Sequence, residues 1–151
     1  MTQEEKMLLI KDLSARLPYA VTVEHTSGFR GTLHDITVHH MYDDNDNVYD
    51  AICYTDFFGD NDDIYIEYFK PYLFPMSSMT EEQYDEFEKI VSDDYLENIQ
   101  ITKEMRKRVD FITHFPIYCP NVIDWFNKNH FDYRGLIEKG LAIDATGQNV
   151  Y

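Results

Sequence analysis

Apolar side chains in the first part of the chain repeat with the period of a helix. In residues 2–17, leucines recur at four-residue spacing and give the segment one broad apolar face, which predicts an amphipathic helix. Thr2 followed three residues later by Glu5 has the pattern of a capping box, so the helix is expected to begin there. Pro18 disfavours helical backbone at the residue before it and predicts the end of the helix.

The period changes to two after Pro18, which is typical of β-strands. Apolar and polar residues alternate in four short segments, at 19–26, 32–42, 48–55 and 63–69. Polar, turn-rich loops separate these segments, and Pro71 and Pro75 close this half of the chain. Because consecutive strands joined by short loops usually pair with one another, the pattern predicts an antiparallel meander.

Helical periodicity returns in the second half. Thr80 with Gln83 forms another capping-box pattern and predicts a helix over about 81–92. Further elements are predicted as helices from Thr102, from Asn121 and from Asp132 to Gly140, and as an edge strand at 141–143. A helix, then strands, then helices is the order of an α+β fold. We therefore predict a single compact domain over residues 1–151, with one N-terminal helix, an antiparallel sheet of about four strands, and three or four helices packed on one face.

The composition supports a folded core. The chain has 151 residues, of which 44% are hydrophobic and 15% aromatic, so disorder over the whole length is not expected despite a net charge of −15. No run of about 18 apolar residues is available to span a bilayer, and the acidic N-terminus lacks the positive charge that opens a signal peptide. Cys53 and Cys119 lie far apart and are expected to be reduced core residues rather than a disulfide. These features predict a cytoplasmic protein.

Negative charge is concentrated in the middle third of the chain. Residues 43–97 carry a net charge of −15, whereas residues 1–42 carry −1 and residues 98–151 carry +1. Between Asp43 and Glu67 there is no Lys or Arg at all. This balance opposes direct binding to nucleic-acid backbones and to anionic membranes, because both attract clustered positive charge.

Three physical roles are open for this acidic block. It can be a solvated surface that keeps the protein in solution, a docking surface that steers a basic protein partner, or a cation site. A sharper form of docking is mimicry of nucleic acid, which would inhibit a nucleic-acid-binding protein. Calcium fits poorly, because Val48 and Tyr54 stand where an EF-hand loop starting at Asp43 needs Gly and Glu.

The leading hypothesis is a non-enzymatic protein–protein interaction protein that contacts a basic partner, with a homodimer as a further option. Its contact surface would be drawn from the carboxylates of the segment 43–97. The candidate residues are Asp43, Asp44, Asp46, Asp50, Asp56, Asp60, Asp62, Asp63, Glu67, Glu81, Glu82, Asp85 and Glu86.

The alternative hypothesis is a metal-binding protein or hydrolase that uses histidines of the predicted sheet. Imidazoles from His25, His34 and His40, with an open fourth position, would resemble a catalytic metal site if their strand faces coincide. The chain has no P-loop, no Gly-x-Ser-x-Gly elbow, no His-Glu-x-x-His and no Cys-x-x-Cys. No catalytic residue and no cofactor is therefore assigned, and an enzyme is the less favoured class.

Three other features have both a structural and a functional interpretation. Cys119 with a nearby histidine could form a thiolate pair, but its apolar surroundings favour a buried, inert thiol. The basic cluster at 103–108 is too small for a nucleic-acid footprint and favours a helix face that pairs with local acids. Arg134 stands among apolar residues, which favours a structural side chain bonded to carbonyls or to Asp132.

Three stretches of the sequence resemble a known group of proteins. They are EEKMLLIKDLSARLPY at 4–19, KPYLFPMSSMTEEQ at 70–83 and NKNHFDYRGLIEKGLAIDA at 127–145. Together they resemble a family of small, uncharacterised, acidic proteins of gut-associated bacteria and their prophages and mobile elements. The resemblance implies a bacterial or prophage origin and a cytoplasmic setting, and it implies no mechanism and no catalytic residue. The acidic residues 43–67 lie outside the matching stretches, so the argument from charge is independent of the resemblance.

Overall fold

The computed structural model describes residues 1–42, 47–55, 64–95 and 120–151. Its helices are α1 at Gln3–Arg16, α2 at Glu81–Tyr95 and α3 at Pro120–Lys128. Its strands are β1 at Thr22–His25, β2 at Arg30–Tyr42, β3 at Asn47–Thr55, β4 at Phe69–Leu73 and β5 at Ile143–Asp144. Short 3₁₀ turns lie at Leu17–Tyr19, Ile66–Tyr68 and Met76–Ser78. The fold is α+β with an N-terminal helix, which confirms the predicted class.

The first helix begins and ends where the sequence predicts. The side-chain hydroxyl of Thr2 accepts a hydrogen bond from the Glu5 backbone N–H at 3.2 Å, and the Glu5 carboxylate accepts one from the Thr2 N–H at 2.7 Å. This reciprocal pair satisfies two N–H groups that have no partner inside the helix. The helix ends at Arg16, and Pro18 lies in the 3₁₀ turn that follows. The start is confirmed, because it depends on neighbouring residues alone. The predicted reason for the end is wrong, because Leu17 before Pro18 keeps helical backbone, with φ of −48° and ψ of −43°, and the chain turns away only at Ala20, where φ is 53°.

The sheet differs from the predicted meander. Its strand order is β3-β2-β1-β4-β5, with β4 returning to pair with β1 rather than with β3. The first four strands are antiparallel neighbours, and their order is that of a Greek key. The fifth strand pairs in parallel with β4, so the sheet is mixed and has five strands rather than four antiparallel ones. β1 is the middle strand of the sheet, and Val23 on it and Val21 just before it are fully buried.

The expected strand at 63–69 is wrong in its position. Residues Ile66–Tyr68 form a 3₁₀ turn, and β4 starts at Phe69 and contains Pro71. The Thr26 N–H donates to the Tyr68 carbonyl at 2.9 Å, and strand alternation from that bond turns the nitrogen of Pro71 away from β1. Pairing with β5 begins only at Tyr72, so the missing N–H of the proline leaves no gap in either ladder.

The helix predicted from Asp132 to Gly140 is also wrong. The Asp132 carboxylate accepts from the backbone N–H groups of Leu136 and Ile137 at 2.8 Å each, as a helix cap would. Gly135 and Gly140 have φ values of 68° and 69°, however, and this left-handed backbone keeps the segment in turns. An edge strand is present but shifted from the expected 141–143, because β5 comprises Ile143–Asp144. The helix predicted from Thr102 lies outside the described residues.

Buried side chains of the described part form two clusters. The first joins α1 to the sheet and contains Leu9, Leu13, Val23 and Phe69. Cys53 on β3 belongs to it as a buried free thiol, which confirms the prediction for that cysteine, whereas Cys119 lies outside the described residues. The second cluster is aromatic and joins α2, α3 and the segment after α3 through Phe87, Trp125, Phe126, Phe131 and Tyr133. α2 is therefore attached to the body of the protein by its apolar side.

Candidate functional site

The outer side of α2 carries a group of exposed carboxylates. Thr80 caps the helix: its hydroxyl accepts from the Gln83 N–H at 3.3 Å, and the Gln83 side chain accepts from the Thr80 N–H at 2.9 Å, as predicted. Phe87 and Val91 are buried against the aromatic cluster, which fixes the rotation of the helix. Four acidic side chains remain exposed in the first two turns, and we call them the α2 acidic face. They are Glu81, Glu82, Asp85 and Glu86.

The N-terminus of α2 favours negative charge. Glu81 and Glu82 lie in the first turn, where the unpaired N–H groups of the helix attract carboxylates. A hydrogen bond from its own backbone N–H, and a second from the Thr80 hydroxyl, lower the pKa of Glu82. This carboxylate is therefore ionised at neutral pH and below.

Glu67 lies in a different part of the fold from the α2 acidic face. It belongs to the 3₁₀ turn at Ile66–Tyr68, and its carboxylate is 2.8 Å from the Lys6 ammonium of α1. The aliphatic part of the Lys6 side chain is buried. Its ammonium group offsets the negative charge of Glu67. Glu67, a predicted surface residue in the described part, is thus paired with a lysine of the N-terminal helix and lies apart from the α2 acidic face.

Of the other predicted acidic residues, Asp50 is the one in the described part of the chain. Asp50 lies on β3, where its backbone is paired with that of His39 on β2. The remaining candidates lie outside the described residues, and their prediction stays open. They are Asp43, Asp44, Asp46, Asp56, Asp60, Asp62 and Asp63.

The three histidines of the alternative hypothesis are spread along the sheet. The pairing of Thr22 with Thr32 sets His25 and His34 at opposite ends of the β1–β2 contact. His34 and His40 lie six residues apart on β2, which at about 3.3 Å per residue separates their backbones by roughly 20 Å. Ligands of one metal ion lie much closer together. Within the ranges that the structure covers, no group of three or more His, Cys, Asp or Glu side chains is arranged to hold a metal, so the alternative gains no support.

Two charged residues that sequence reasoning missed form a buried ion pair in α1. The Arg16 guanidinium donates to the Asp12 carboxylate through Nε at 2.7 Å and Nη2 at 3.0 Å, and both side chains have no exposed surface. Nη2 of Arg16 also donates to the Phe131 carbonyl at 2.8 Å, which ties α1 to the segment after α3. The signal was present in the sequence, because Asp12 and Arg16 fall on the same helical face as the leucines.

Arg134 extends this buried group to the surface. Its Nη1 donates to Asp12 at 3.0 Å, and its guanidinium lies 4.6 Å from the centre of the Tyr133 ring. The structural interpretation of Arg134 therefore holds, with Asp12 as the partner instead of Asp132. Arg134 also lines an open cavity of about 490 Å³ between the Met76–Ser78 turn and the turns at 132–139.

A second small network joins β1, β2 and β4. The Glu24 carboxylate accepts from the Arg30 Nε at 2.9 Å and from the Tyr72 hydroxyl. Burial, and then the hydrogen bond to Glu24, raise the pKa of Tyr72 to about 12, and the Tyr72 bond is the main cause that lowers the pKa of Glu24. Both groups keep their ordinary protonation states, so this network holds three strands together and offers no acid or base for catalysis.

His130 is a buried histidine next to the ion pair. Its ring stacks on that of Tyr151 at 3.8 Å between centres, and the Tyr151 hydroxyl donates to the Tyr72 carbonyl at 2.6 Å. Burial, and then the positive charge of Arg16, lower the pKa of His130 to about 4. Its Nδ1 has no hydrogen-bond partner in the part of the chain that the structure describes.

We expect His130 to make the protein less stable in mild acid. An unfolded histidine binds a proton near pH 6.5 and the folded one only near pH 4, so protons favour the unfolded state between these values. The free energy of unfolding should fall by up to about 3 kcal/mol as pH decreases through this window. Burial raises the pKa of Asp132, so proton binding to this carboxyl favours the folded state and opposes the effect of His130 on stability. The contribution of His130 is therefore isolated by comparing variants.

Denaturant unfolding at a series of pH values measures this effect. His130→Asn removes the titrating ring, and asparagine tolerates the left-handed backbone of this position, where φ is 56°. The variant should lose most of the fall in stability between pH 6.5 and pH 4. His34→Asn makes the same change at an exposed position and controls for the substitution. An unaltered pH dependence in His130→Asn would refute the assignment.

Comparisons with protein-family models, with curated proteins and with solved structures gave no match to this chain. Among the helices of the described ranges, none combines the length and the apolar character needed to span a bilayer.

Proposed function

We propose that this protein is a non-enzymatic interaction protein that binds a basic protein partner through an acidic surface drawn from residues 43–97. The observation that carries the proposal is the α2 acidic face, with four exposed carboxylates within six residues and no Lys or Arg among them. Such a surface attracts positive charge over about one Debye length, roughly 8–10 Å at physiological salt.

The α2 acidic face is poorly explained by the stability of the helix alone. Glu81 and Asp85, and likewise Glu82 and Glu86, are like charges four residues apart, and such pairs cost about 0.2–0.5 kcal/mol each. The helix N-terminus offsets this cost in the first turn, but its attraction fades by the second turn, where Asp85 and Glu86 lie. Lys89, four residues after Asp85, offsets part of this repulsion within the helix, and a contact with cations of a partner would offset more of it.

The rigid attachment of α2 suits a recognition surface. Phe87 stacks on Phe126 with ring centres 5.5 Å apart and lies 5.8 Å from the Trp125 ring. A helix that is fixed by these aromatic contacts holds the backbone of the four carboxylates in one arrangement, so little backbone freedom is lost on binding.

A narrower form of the proposal is inhibition by mimicry of nucleic acid. Carboxylates on a fixed helix can occupy a cationic groove that otherwise holds phosphates. The resemblance to acidic proteins of bacteria and prophages suits this role and a cytoplasmic setting. In this form of the proposal, the carboxylates between Asp43 and Asp63 would contribute to the same surface.

The proposal is tested by neutralising the α2 acidic face. The test variant combines Glu81→Gln, Glu82→Gln, Asp85→Asn and Glu86→Gln. The control variant makes the same change in net charge at four exposed positions elsewhere, with Glu4→Gln, Asp35→Asn, Asp124→Asn and Glu138→Gln. Circular dichroism and thermal unfolding first establish that both variants are folded.

Immobilised wild-type and variant proteins are then used to capture basic proteins from a bacterial lysate, with identification by mass spectrometry. We expect the test variant to retain roughly a tenth of the wild-type yield or less, because four exposed charge contacts of about 0.5 kcal/mol each add up to about 2 kcal/mol, more than the 1.4 kcal/mol of a tenfold change. The control variant should capture nearly the wild-type amount. Duplex DNA should release the captured protein if the role is mimicry. Equal losses in both variants, or capture that does not weaken from about 50 to about 300 mM salt, would refute the proposal.

A further inference from the structure

The cavity beside Arg134 has the size and lining of a small-ligand site. Its volume of about 490 Å³ lies in the range of pockets that enclose small organic molecules. Met76, Tyr133 and Ile137 provide apolar surface, and Ser77 and Arg134 provide polar groups. Asp132, Glu138 and Lys139 also line the cavity, so its walls are mixed. A ligand with an apolar body and one polar end matches both kinds of surface.

Arg134 determines which chemical group the polar end of the ligand can carry. A guanidinium has five N–H donors, and among the described residues the Arg134 side chain hydrogen-bonds only Asp12, through Nη1. The Asp12 carboxylate already accepts two bonds from Arg16, so the charge of Arg134 is only partly offset by it. The stack on Tyr133 and the bond to Asp12 hold the guanidinium in place, with 15% of the side chain exposed. A fixed guanidinium with spare donors binds a carboxylate in two-point contact.

The acidic residue closest to Arg134 in sequence does not block such a ligand. Both carboxylate oxygens of Asp132 accept backbone N–H groups, from Leu136 and Ile137. These two N–H dipoles partly offset the negative charge of the Asp132 carboxylate, which weakens its repulsion of an anion. At the rim of the cavity, the exposed Glu138 and Lys139 have opposite charges.

We propose that this cavity binds a small organic carboxylate with an apolar body, held by Arg134 at its acid end and by Met76 and Ile137 along its body. The same chemistry is offered by a free organic acid and by the C-terminal residue of a peptide. The site is separate from the α2 acidic face, so its failure leaves the proposed function unchanged, and the reverse is also true.

The experiment titrates ¹⁵N-labelled protein with three probes followed by NMR. The probes are N-acetyl-leucine, N-acetyl-leucine amide and a pentapeptide that ends in leucine with a free carboxylate. We expect saturable shifts of the Ser77, Arg134 and Gly135 amides with the free acid, and binding of the amide weaker by about tenfold or more, because it lacks the charge-assisted contact. Tighter binding of the pentapeptide than of N-acetyl-leucine identifies a peptide terminus as the source, and equal or weaker binding identifies a free acid.

Two variants separate the site from adventitious contact. Ser77→Trp fills the cavity from an exposed position and leaves the Arg134–Asp12 bond in place, so it should abolish binding in a folded protein. Arg134→Gln should remove the preference for the acid over the amide. If Arg134→Gln does not fold, the loss or retention of binding in Ser77→Trp tests the proposal. Lys128→Gln removes a cation outside the cavity and should bind as the wild type does. Absence of saturable binding, equal affinity for acid and amide, or unchanged binding in Ser77→Trp would overturn the proposal.

Discussion

Replacing Arg16 with methionine is expected to lower the free energy of unfolding by about 3–5 kcal/mol, because it leaves the buried Asp12 carboxylate without its main cation. Three hydrogen bonds are lost, two to Asp12 and one to the Phe131 carbonyl. Arg134 still donates to Asp12, which limits the loss and keeps the fold accessible. Denaturant unfolding monitored by circular dichroism measures the change.

The matched control for this prediction is Arg30→Met. Arg30 forms a single-nitrogen ion pair with Glu24 and is half exposed, so its loss should cost about 1 kcal/mol or less. Adding Asp12→Leu to Arg16→Met removes the orphaned charge as well and should recover part of the stability. A small and equal effect of Arg16→Met and Arg30→Met would contradict the buried ion pair.

Replacing Phe126 with alanine is expected to destabilise the protein by about 3–5 kcal/mol, through lost burial and the cavity that remains. The ring has no exposed surface and stacks on Phe87 and Tyr133 at 5.5 and 5.3 Å between centres. It thus joins α3 both to α2 and to the turn that carries Arg134. The effect is measured as a shift of the unfolding midpoint in denaturant.

Phe29→Ala is the control for the size of the substitution. Phe29 is 49% exposed in the turn between β1 and β2, so the same change should cost well under half as much. A further consequence follows for α2, since it loses one of its aromatic supports in Phe126→Ala. Hydrogen exchange of the α2 amides should rise more in Phe126→Ala than in Phe29→Ala, and equal protection would contradict the packing.

Elements of this fold that depend on local sequence could be predicted, and those that depend on distant pairing could not. The capping boxes at Thr2 and Thr80 involve residues three positions apart, so both helix starts were correct. The Greek key order requires β4 to pair with β1 across more than forty intervening residues, and the alternating pattern is equally compatible with a meander. The left-handed backbone at Gly135, in the first turn of the helix expected after Asp132, is incompatible with that helix, although its capping bonds are present.

The candidate site follows the same division: positions on one helix could be predicted from the sequence, and contacts between distant segments could not. The exposed positions of α2 follow from helical periodicity, and the acidic face could be placed once Phe87 was taken as the buried side. Asp12 and Arg16 lie on the leucine face of α1, which indicates burial, but their spacing is also that of an exposed helical ion pair. The contact of Arg16 with the distant Phe131 carbonyl could not be predicted. The partner of Arg134 lies 122 positions away in the sequence, so spacing could not identify it.

Residue-level mapping of a basic ligand tests the central claim most directly. ¹⁵N-labelled protein is titrated with a Lys- and Arg-rich peptide at low salt, and amide shifts are compared between the wild type and the two charge-neutralised variants. We predict that the largest shifts among the described residues cluster at Glu81–Glu86, disappear in the α2 variant and persist in the control variant. Shifts spread evenly over all exposed acids, or a maximum at the N-terminal carboxylates of α1 instead, would contradict the account.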